Sequence, residues 1–175
     1  MKEFENYIPP TWDELFMGKV YEIARKSKDP RTKVGAVLVK NGYAPLEGFN
    51  GICRGVEDLS ERMVRPEKYH WMEHAERNVI NMAAKFGIPT ECGMLYTQGM
   101  PCVDCARGVV NCGIVEIVLH KQWEDISTQI TTVGRPWAEH YHRSKQMFNE
   151  AGITIRYLDA FLGKKGYLDG KEFDV

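Results

Sequence analysis

One histidine, one glutamate and two cysteines stand at spacings that suit metal-assisted hydrolysis. His74-Ala75-Glu76 is followed, after a gap of 24 residues, by Pro101-Cys102-Val103-Asp104-Cys105. A catalytic zinc takes three protein ligands and keeps a fourth position for water. One imidazole, His74, and two thiolates, Cys102 and Cys105, supply the three. Zinc lowers the pKa of a bound water toward neutrality. Glu76 is not a ligand in this reading; it takes a proton from that water and returns it to a leaving group.

The elements around these residues must satisfy a geometric condition. Cys102 and Cys105 lie three apart, which puts them on one face of a helix's first turn. Pro101 suits the entry to that helix, where a missing N–H costs nothing. A helix N-terminus also favours the thiolate form. His74 and Glu76 are two apart and diverge inside a regular helix, so they serve one site only at a helix start. The bland readings are weaker. A structural zinc site closes with four ligands, and no second C-x-x-C is present. A redox C-x-x-C follows the first strand of a βαβ unit, whereas this one lies mid-chain.

Along the chain, residues 1–10 end in Pro9-Pro10 and read as an extended arm. Thr11 with Glu14 fits a capping box. Trp12, Leu15, Phe16, Val20 and Ile23 then recur at helical spacing. Val34 to Val39 reads as a buried strand, Asn41-Gly42 as a hairpin turn, and Tyr43 to Phe49 as a returning edge strand carrying Pro45. Residues 50–73 read as a long polar loop walling the site. A helix follows from Ala75 to Phe86, with Gly87 as its stop. Met94 to Thr97 is a strand, Cys102 to Asn111 or Cys112 a helix, and Ile114 to Leu119 a strand. Residues 120–135 read as a second long loop. Trp137, Tyr141, Met147, Phe148 and Ala151 mark a last helix, and Ile153 to Leu158 a last strand. The stretch Gly163 to Val175 reads as a loose tail. Alternating strands and helices predict an α/β fold with helices on both faces of a mixed sheet. One domain is expected over residues 1–175, its core at about 11–158.

Composition bounds the function. The 175 residues are 43% hydrophobic and 27% charged, with a net charge of −1, as in an ordinary globular protein. No apolar run approaches the length of a membrane span. Residues 1–6 lack the apolar core of a signal peptide, so the three cysteines outside the motif, Cys53, Cys92 and Cys112, are expected as reduced thiols in the cytoplasm. The charge balance points to a small substrate rather than to a nucleic acid, which calls for a basic face. An edge strand and exposed apolar residues suggest self-association.

The motif pair is that of zinc-dependent nucleobase deaminases. More widely, residues 11–158 resemble the deoxycytidylate (dCMP) deaminases of the cytidine deaminase superfamily. The resemblance is carried by Ser27-Lys28-Asp29-Pro30 with Val34-Gly35-Ala36-Val37, by Gly48-Phe49-Asn50-Gly51 and by His74-Ala75-Glu76-Arg77-Asn78-Val79-Ile80. Pro101-Cys102-Val103-Asp104-Cys105-Ala106 with Gly113-Ile114, and Phe148-Asn149-Glu150-Ala151-Gly152-Ile153, complete it. It implies the three-layer α/β/α fold of that superfamily with a five-stranded sheet. It implies conversion of dCMP to dUMP and ammonia, which feeds thymidylate synthesis. The site it implies has zinc on His74, Cys102 and Cys105 and proton transfer by Glu76. Asn50 is implied at the sugar or base, and the Ala75 N–H at the base carbonyl. It implies a homo-oligomer, a hexamer regulated by dCTP and dTTP. Here Ile52-Cys53-Arg54-Gly55 lacks the proline that usually follows the Asn-Gly step, which bears on regulation. Arg31, Lys33, Arg54, His70 and Arg135 lie in loops able to meet a phosphate, and none is assigned. Related substrates remain open: 5-substituted dCMP, cytidine, guanine or adenosine in tRNA. A non-catalytic zinc-stabilised module is the rival of another class.

Overall fold

Strict alternation along one central strand sets the two faces of the molecule. In β1 (Gly35–Lys40), Ala36 and Leu38 point into one apolar cluster while Val37 and Val39 point into another, all four fully buried. This is the period-two geometry of a strand covered on both sides. The computed structural model describes residues 7–130 and 138–175. The other elements are α1 (Trp12–Ala24), β2 (Tyr43–Phe49), β3 (Gly51–Ile52), α2 (Lys68–Trp71), β4 (Met72–Glu73), α3 (Ala75–Phe86), β5 (Met94–Thr97), α4 (Val103–Asn111), β6 (Glu116–His120), α5 (Lys121–Ile130), α6 (Ala138–Glu150), β7 (Thr154–Leu158), β8 (Lys165–Leu168) and β9 (Lys171–Asp174).

The main sheet has five strands in the order β2-β1-β5-β6-β7. β1 is antiparallel to both β2 and β5, while β5, β6 and β7 run parallel. One face carries α3, α4 and α6 through Val79, Ala83, Ala106, Val109 and Phe148. The other carries α1 through Phe16, Met17, Val20 and Tyr21, and α5 through Trp123. The result is the expected three-layer α/β/α arrangement with a mixed sheet.

Local signals produce the elements the sequence leads one to expect. Thr11 Oγ1 accepts from the Glu14 N–H at 3.2 Å, and Glu14 accepts from the Thr11 N–H at 2.6 Å, which starts α1. Asn41 and Gly42 both have positive φ, 52° and 78°, the geometry of the tight turn joining β1 to β2. Pro45 lies in β2, which is the sheet edge.

Three stretches differ from expectation. Residues 120–135 are not a loop as far as they are described: Lys121–Ile130 form α5, because Trp123 and Ile126, three apart, pack on the second cluster. Residues 163–175 are not loose. β8 and β9 pair antiparallel, and Leu168, Phe173 and Val175 join the core under α1 and α5. The 50–73 stretch holds β3, a 3-10 turn at Ser60–Met63, α2 and β4, with β3 and β4 paired. Residues 1–6 of the expected arm, the 131–135 part of the expected loop with Arg135, and Trp137 lie outside the described residues. Among the described residues, no helix is long and apolar enough to cross a membrane.

Candidate metal centre and its surroundings

His74 and Glu76 meet the geometric condition through a helix start. His74 is the N-cap of α3, with extended backbone at φ −79° and ψ 153°, and Glu76 lies in the first turn. The turn from extended to helical backbone lets residues two apart face one point. Cys102 is likewise the N-cap of α4, at φ −67° and ψ 168°, and Cys105 sits in its first turn. The expected helix start therefore shifts by one residue: α4 begins at Val103, and Pro101 precedes the cap. Two helix N-termini thus converge, and both bring a partial positive charge.

The three soft donors cluster. His74 Nδ1 lies 3.4 Å from Cys102 Sγ and 3.5 Å from Cys105 Sγ, and the two sulfurs are 3.6 Å apart. All three ligand atoms fall within 4.8 Å of one another, with both cysteines buried. One imidazole and two thiols, inward-facing and closely grouped, fit the donor chemistry of zinc. Glu76 Oε2 is 3.6 Å from Cys105 Sγ, so its carboxyl stands beside the cluster.

The electrostatics suit a cation-binding site. The hydrogen bond between the two sulfurs, with the help of His74, pulls Cys102 down to about 3. The same hydrogen bond, together with burial and the charge of Glu76, pushes Cys105 up. A bound cation ionises both thiols. Glu76 is 5% exposed, and burial raises its pKa although His74 pulls the other way. A carboxyl poised nearer neutrality is suited to carry a proton in both directions. Burial disfavours the His74 cation, but the Cys102 hydrogen bond and the Glu76 charge raise its pKa overall.

Supporting contacts position the helix starts. Glu73 Oε1 accepts from the His74 N–H at 2.9 Å and from Arg77, which also faces Asp104 of α4 at 3.9 Å. Asn78 Nδ2 donates to the Phe49 carbonyl at 2.7 Å, tying α3 to β2. α3 approaches β2 at Gly48 so closely that a Cβ there would lie 2.8 Å from Val79 Cγ2 and 2.9 Å from the Ala75 carbonyl oxygen. Gly48, Arg77 and Asn78 stand inside the quoted motifs with no role read for them, and Glu73 lies outside; the i, i+4 Glu73–Arg77 spacing was the available signal. Tyr141 of α6 was expected as helix core. The residue is 41% exposed, and burial of its hydroxyl, followed by the charges of Glu76 and Cys102, pushes its pKa up to about 12.

Asn50 and Ala75 flank the centre. The β3–β4 ladder pairs Gly51 with Glu73, so Asn50 and His74 occupy facing positions just past its end. The Asn50 amide is engaged within the protein. Its Oδ1 accepts from the Val34 N–H at 2.8 Å, and its Nδ2 donates to the Thr32 carbonyl at 2.9 Å and to Asp29 Oδ2 at 3.3 Å. Asp29 in turn accepts from buried Lys68 at 2.6 Å. The Ala75 N–H belongs to the first turn of α3, where no intrahelical acceptor exists. Of the loop cations, Arg31 binds Asp169, and Arg54 reaches Met82 Sδ at 3.3 Å. A separate concavity of about 440 Å³, lined by Trp12, Phe16, Tyr43 and Tyr96, lies away from this chemistry.

Comparison with known proteins follows the same line. The family model described as the cytidine and deoxycytidylate deaminase zinc-binding region matches residues 10–121. An uncharacterised deaminase from the luxG 3′ region of Aliivibrio fischeri is 31% identical over 147 residues, covering 84% of this chain and 93% of that protein. Deoxycytidylate deaminase of Homo sapiens is 29% identical over 162 residues, covering 89% of this chain and 83% of that protein. The crystal structure of dCMP deaminase from the cyanophage S-TIM5, in complex with dCMP and dUMP, superposes with a TM-score of 0.63 at 21% identity, covering 87% of this chain and all of that one. That likeness establishes the fold.

Proposed function

The chain belongs to the cytidine and deoxycytidylate deaminase family, whose zinc-binding region it carries, and from that premise we propose that it deaminates dCMP to dUMP with release of ammonia. The observation that carries the reading is the buried Glu76 carboxyl, 3.6 Å from Cys105 Sγ and beside three soft donors. Relatives named as deoxycytidylate deaminases support the choice of substrate.

In this reading His74, Cys102 and Cys105 hold the metal. Zinc, when bound, supplies an acidified water. Glu76 accepts a proton from the attacking water and delivers it to the departing amino nitrogen. A carbon–oxygen bond forms at C4 of the base, the carbon–nitrogen bond breaks, and nothing is oxidised or reduced. The Ala75 N–H donates to the base carbonyl. The Asn50 amide stands at the sugar or base, and its 3.3 Å contact to Asp29, the longest it makes, is the one a substrate oxygen would replace. The product dUMP is a substrate for thymidylate synthesis. An oligomer responding to dCTP and dTTP accompanies this reading, as does a place in the cytoplasm.

The test is ammonia release by the zinc-loaded protein on dCMP, 5-methyl-dCMP, dCTP, cytidine, guanine and a tRNA anticodon stem, with and without dCTP and dTTP. Turnover confined to deoxycytidine monophosphates is the expected result. Turnover on another base keeps the site and moves the substrate. Silence across the panel with zinc bound makes the non-catalytic module the better account.

A further inference from the structure

We propose that the C-terminal hairpin β8–β9 is a positioning device for the substrate pocket, with Asp169 at its tip as the residue that acts. The proposal rests on the reading above, in that Asn50 borders the pocket.

The tip grips one loop at several points. Asp169 Oδ1 accepts from Arg31 Nε at 3.1 Å and from Arg65 Nη1 at 3.4 Å, so one carboxylate joins two segments far apart in sequence. The Gly170 N–H donates to the Arg31 carbonyl at 2.7 Å, and the Asp169 N–H to Thr32 Oγ1 at 3.3 Å. The Lys33 N–H donates to the Tyr167 carbonyl at 3.0 Å. A lone exposed ion pair would carry little, typically about 0–1 kcal/mol. Here backbone and side chain of one turn act on the same three residues, 31 to 33.

The gripped loop is the one that orients Asn50. On its inner side the Val34 N–H donates to Asn50 Oδ1, and the Thr32 carbonyl accepts from Asn50 Nδ2. The Gly35 N–H donates to Gln98 Oε1 at 2.7 Å, and Gln98 Nε2 donates to the Lys33 carbonyl at 3.1 Å. Gln98 is fully buried and lies just ahead of Cys102. Residues 29–35 are therefore clasped between the hairpin tip outside and the Asn50 and Gln98 amides inside. The contacts of Asp169 are to Arg31, Thr32 and Arg65, and none is to His74, Glu76, Cys102 or Cys105, so it acts through the loop.

Asp169→Asn is the test, because asparagine tolerates the positive φ of 50° found there. It removes the charge and keeps the turn. Three quantities are read on the full zinc-loaded chain: steady-state kinetics with dCMP, the thermal midpoint, and amide hydrogen exchange at Val34 and Gly35. The expected result is a KM raised roughly fivefold, the scale of one well-placed ion pair. kcat stays unchanged, the midpoint moves by no more than about 2 °C, and exchange at both amides quickens. Arg31→Ala gives the same pattern, and the double variant is no worse than either single one. An unchanged KM overturns the proposal. A parallel fall in kcat and midpoint also overturns it, leaving a merely structural role. A lowered KM overturns it too, marking Arg31 and Arg65 as anion ligands that Asp169 holds back. Wild-type protein inert to dCMP would instead sink the substrate assignment, and unchanged exchange at Val34 and Gly35 would still overturn the role of Asp169.

Discussion

Cys105 and Glu76 meet across two helix starts, with Sγ 3.6 Å from Oε2. A ligand candidate and the proposed proton carrier, 29 residues apart in sequence, are thereby held at one point by α3 and α4. Glu76→Gln keeps the shape of this contact and removes the proton-carrying function. Zinc content and fold are expected to be retained, and turnover to fall by roughly a hundred- to ten-thousand-fold. Metal analysis beside the ammonia assay checks this; wild-type turnover in the variant would remove Glu76 from the mechanism.

Chelation tests the metal centre itself. A ligand that binds only the folded state raises its stability by mass action. Removing zinc is expected to abolish turnover and lower the thermal midpoint, and adding zinc back to restore both. A midpoint indifferent to chelator, in protein verified as metal-free, would show that His74, Cys102 and Cys105 do not hold a stabilising ion.

The approach of α3 to β2 at Gly48 predicts sensitivity to a single methyl. Gly48→Ala sets a Cβ at 2.8 Å from Val79 Cγ2 and 2.9 Å from a backbone carbonyl that cannot easily retreat. Overpacking of this kind costs about 1–3 kcal/mol. Because the displaced helix is capped by His74, zinc affinity should fall along with stability. Denaturant unfolding and a competitive zinc titration measure the two separately.

Lys68 and Asp29 form an ion pair with side chains 7% and 3% exposed. Lys68→Met leaves the carboxylate without its charge partner, a loss of about 3–5 kcal/mol for a broken buried pair. The Arg31 and Thr32 N–H groups still bond Asp29, so the lower end is expected. Adding Asp29→Asn should recover part of the loss, measurable as a shift in the denaturation midpoint.

His120 gives the fold a pH dependence. It is fully buried; its Nδ1 lies 2.8 Å from the Tyr21 hydroxyl and its Nε2 2.9 Å from the Ala160 carbonyl. Burial lowers its pKa, with the Ala160 carbonyl partly opposing. The unfolded chain then binds the proton more readily than the folded one. Stability from this residue is complete above about pH 6.5 and is lost as pH falls from there through the folded value. Unfolding free energy measured from pH 7.5 to 5 should fall less steeply in His120→Gln than in the wild type.

Much of this was legible in the sequence, for identifiable reasons. Thr11 with Glu14, Asn41-Gly42 and the two helix starts at the metal centre are short-range signals, each decided within a few residues. α5 was not legible because Trp123 and Ile126 alone carry its known apolar face among charged neighbours. The C-terminal hairpin did show a signal, Asp169-Gly170, masked by the lysines and glycines around it. Lys68 could not be foreseen as buried, since lysine is normally a surface residue; only the fold brings Asp29 to it. Asn50 was visible as a site candidate, but its partners at Thr32 and Val34 emerge only when the loop before β1 is folded over it.

The clasp between Arg31 and Asp169 spans 138 residues of chain. Such a closure is slow to find in a folding search, because the entropy of a long loop is lost before the contact compensates. During synthesis, which proceeds from the N-terminus, the residues that gather the metal emerge well before the hairpin. A nascent chain could thus capture zinc while Asn50 still lacks its outer brace. Competence to bind the ion and competence to bind the nucleotide would then be acquired at different moments in the life of the chain.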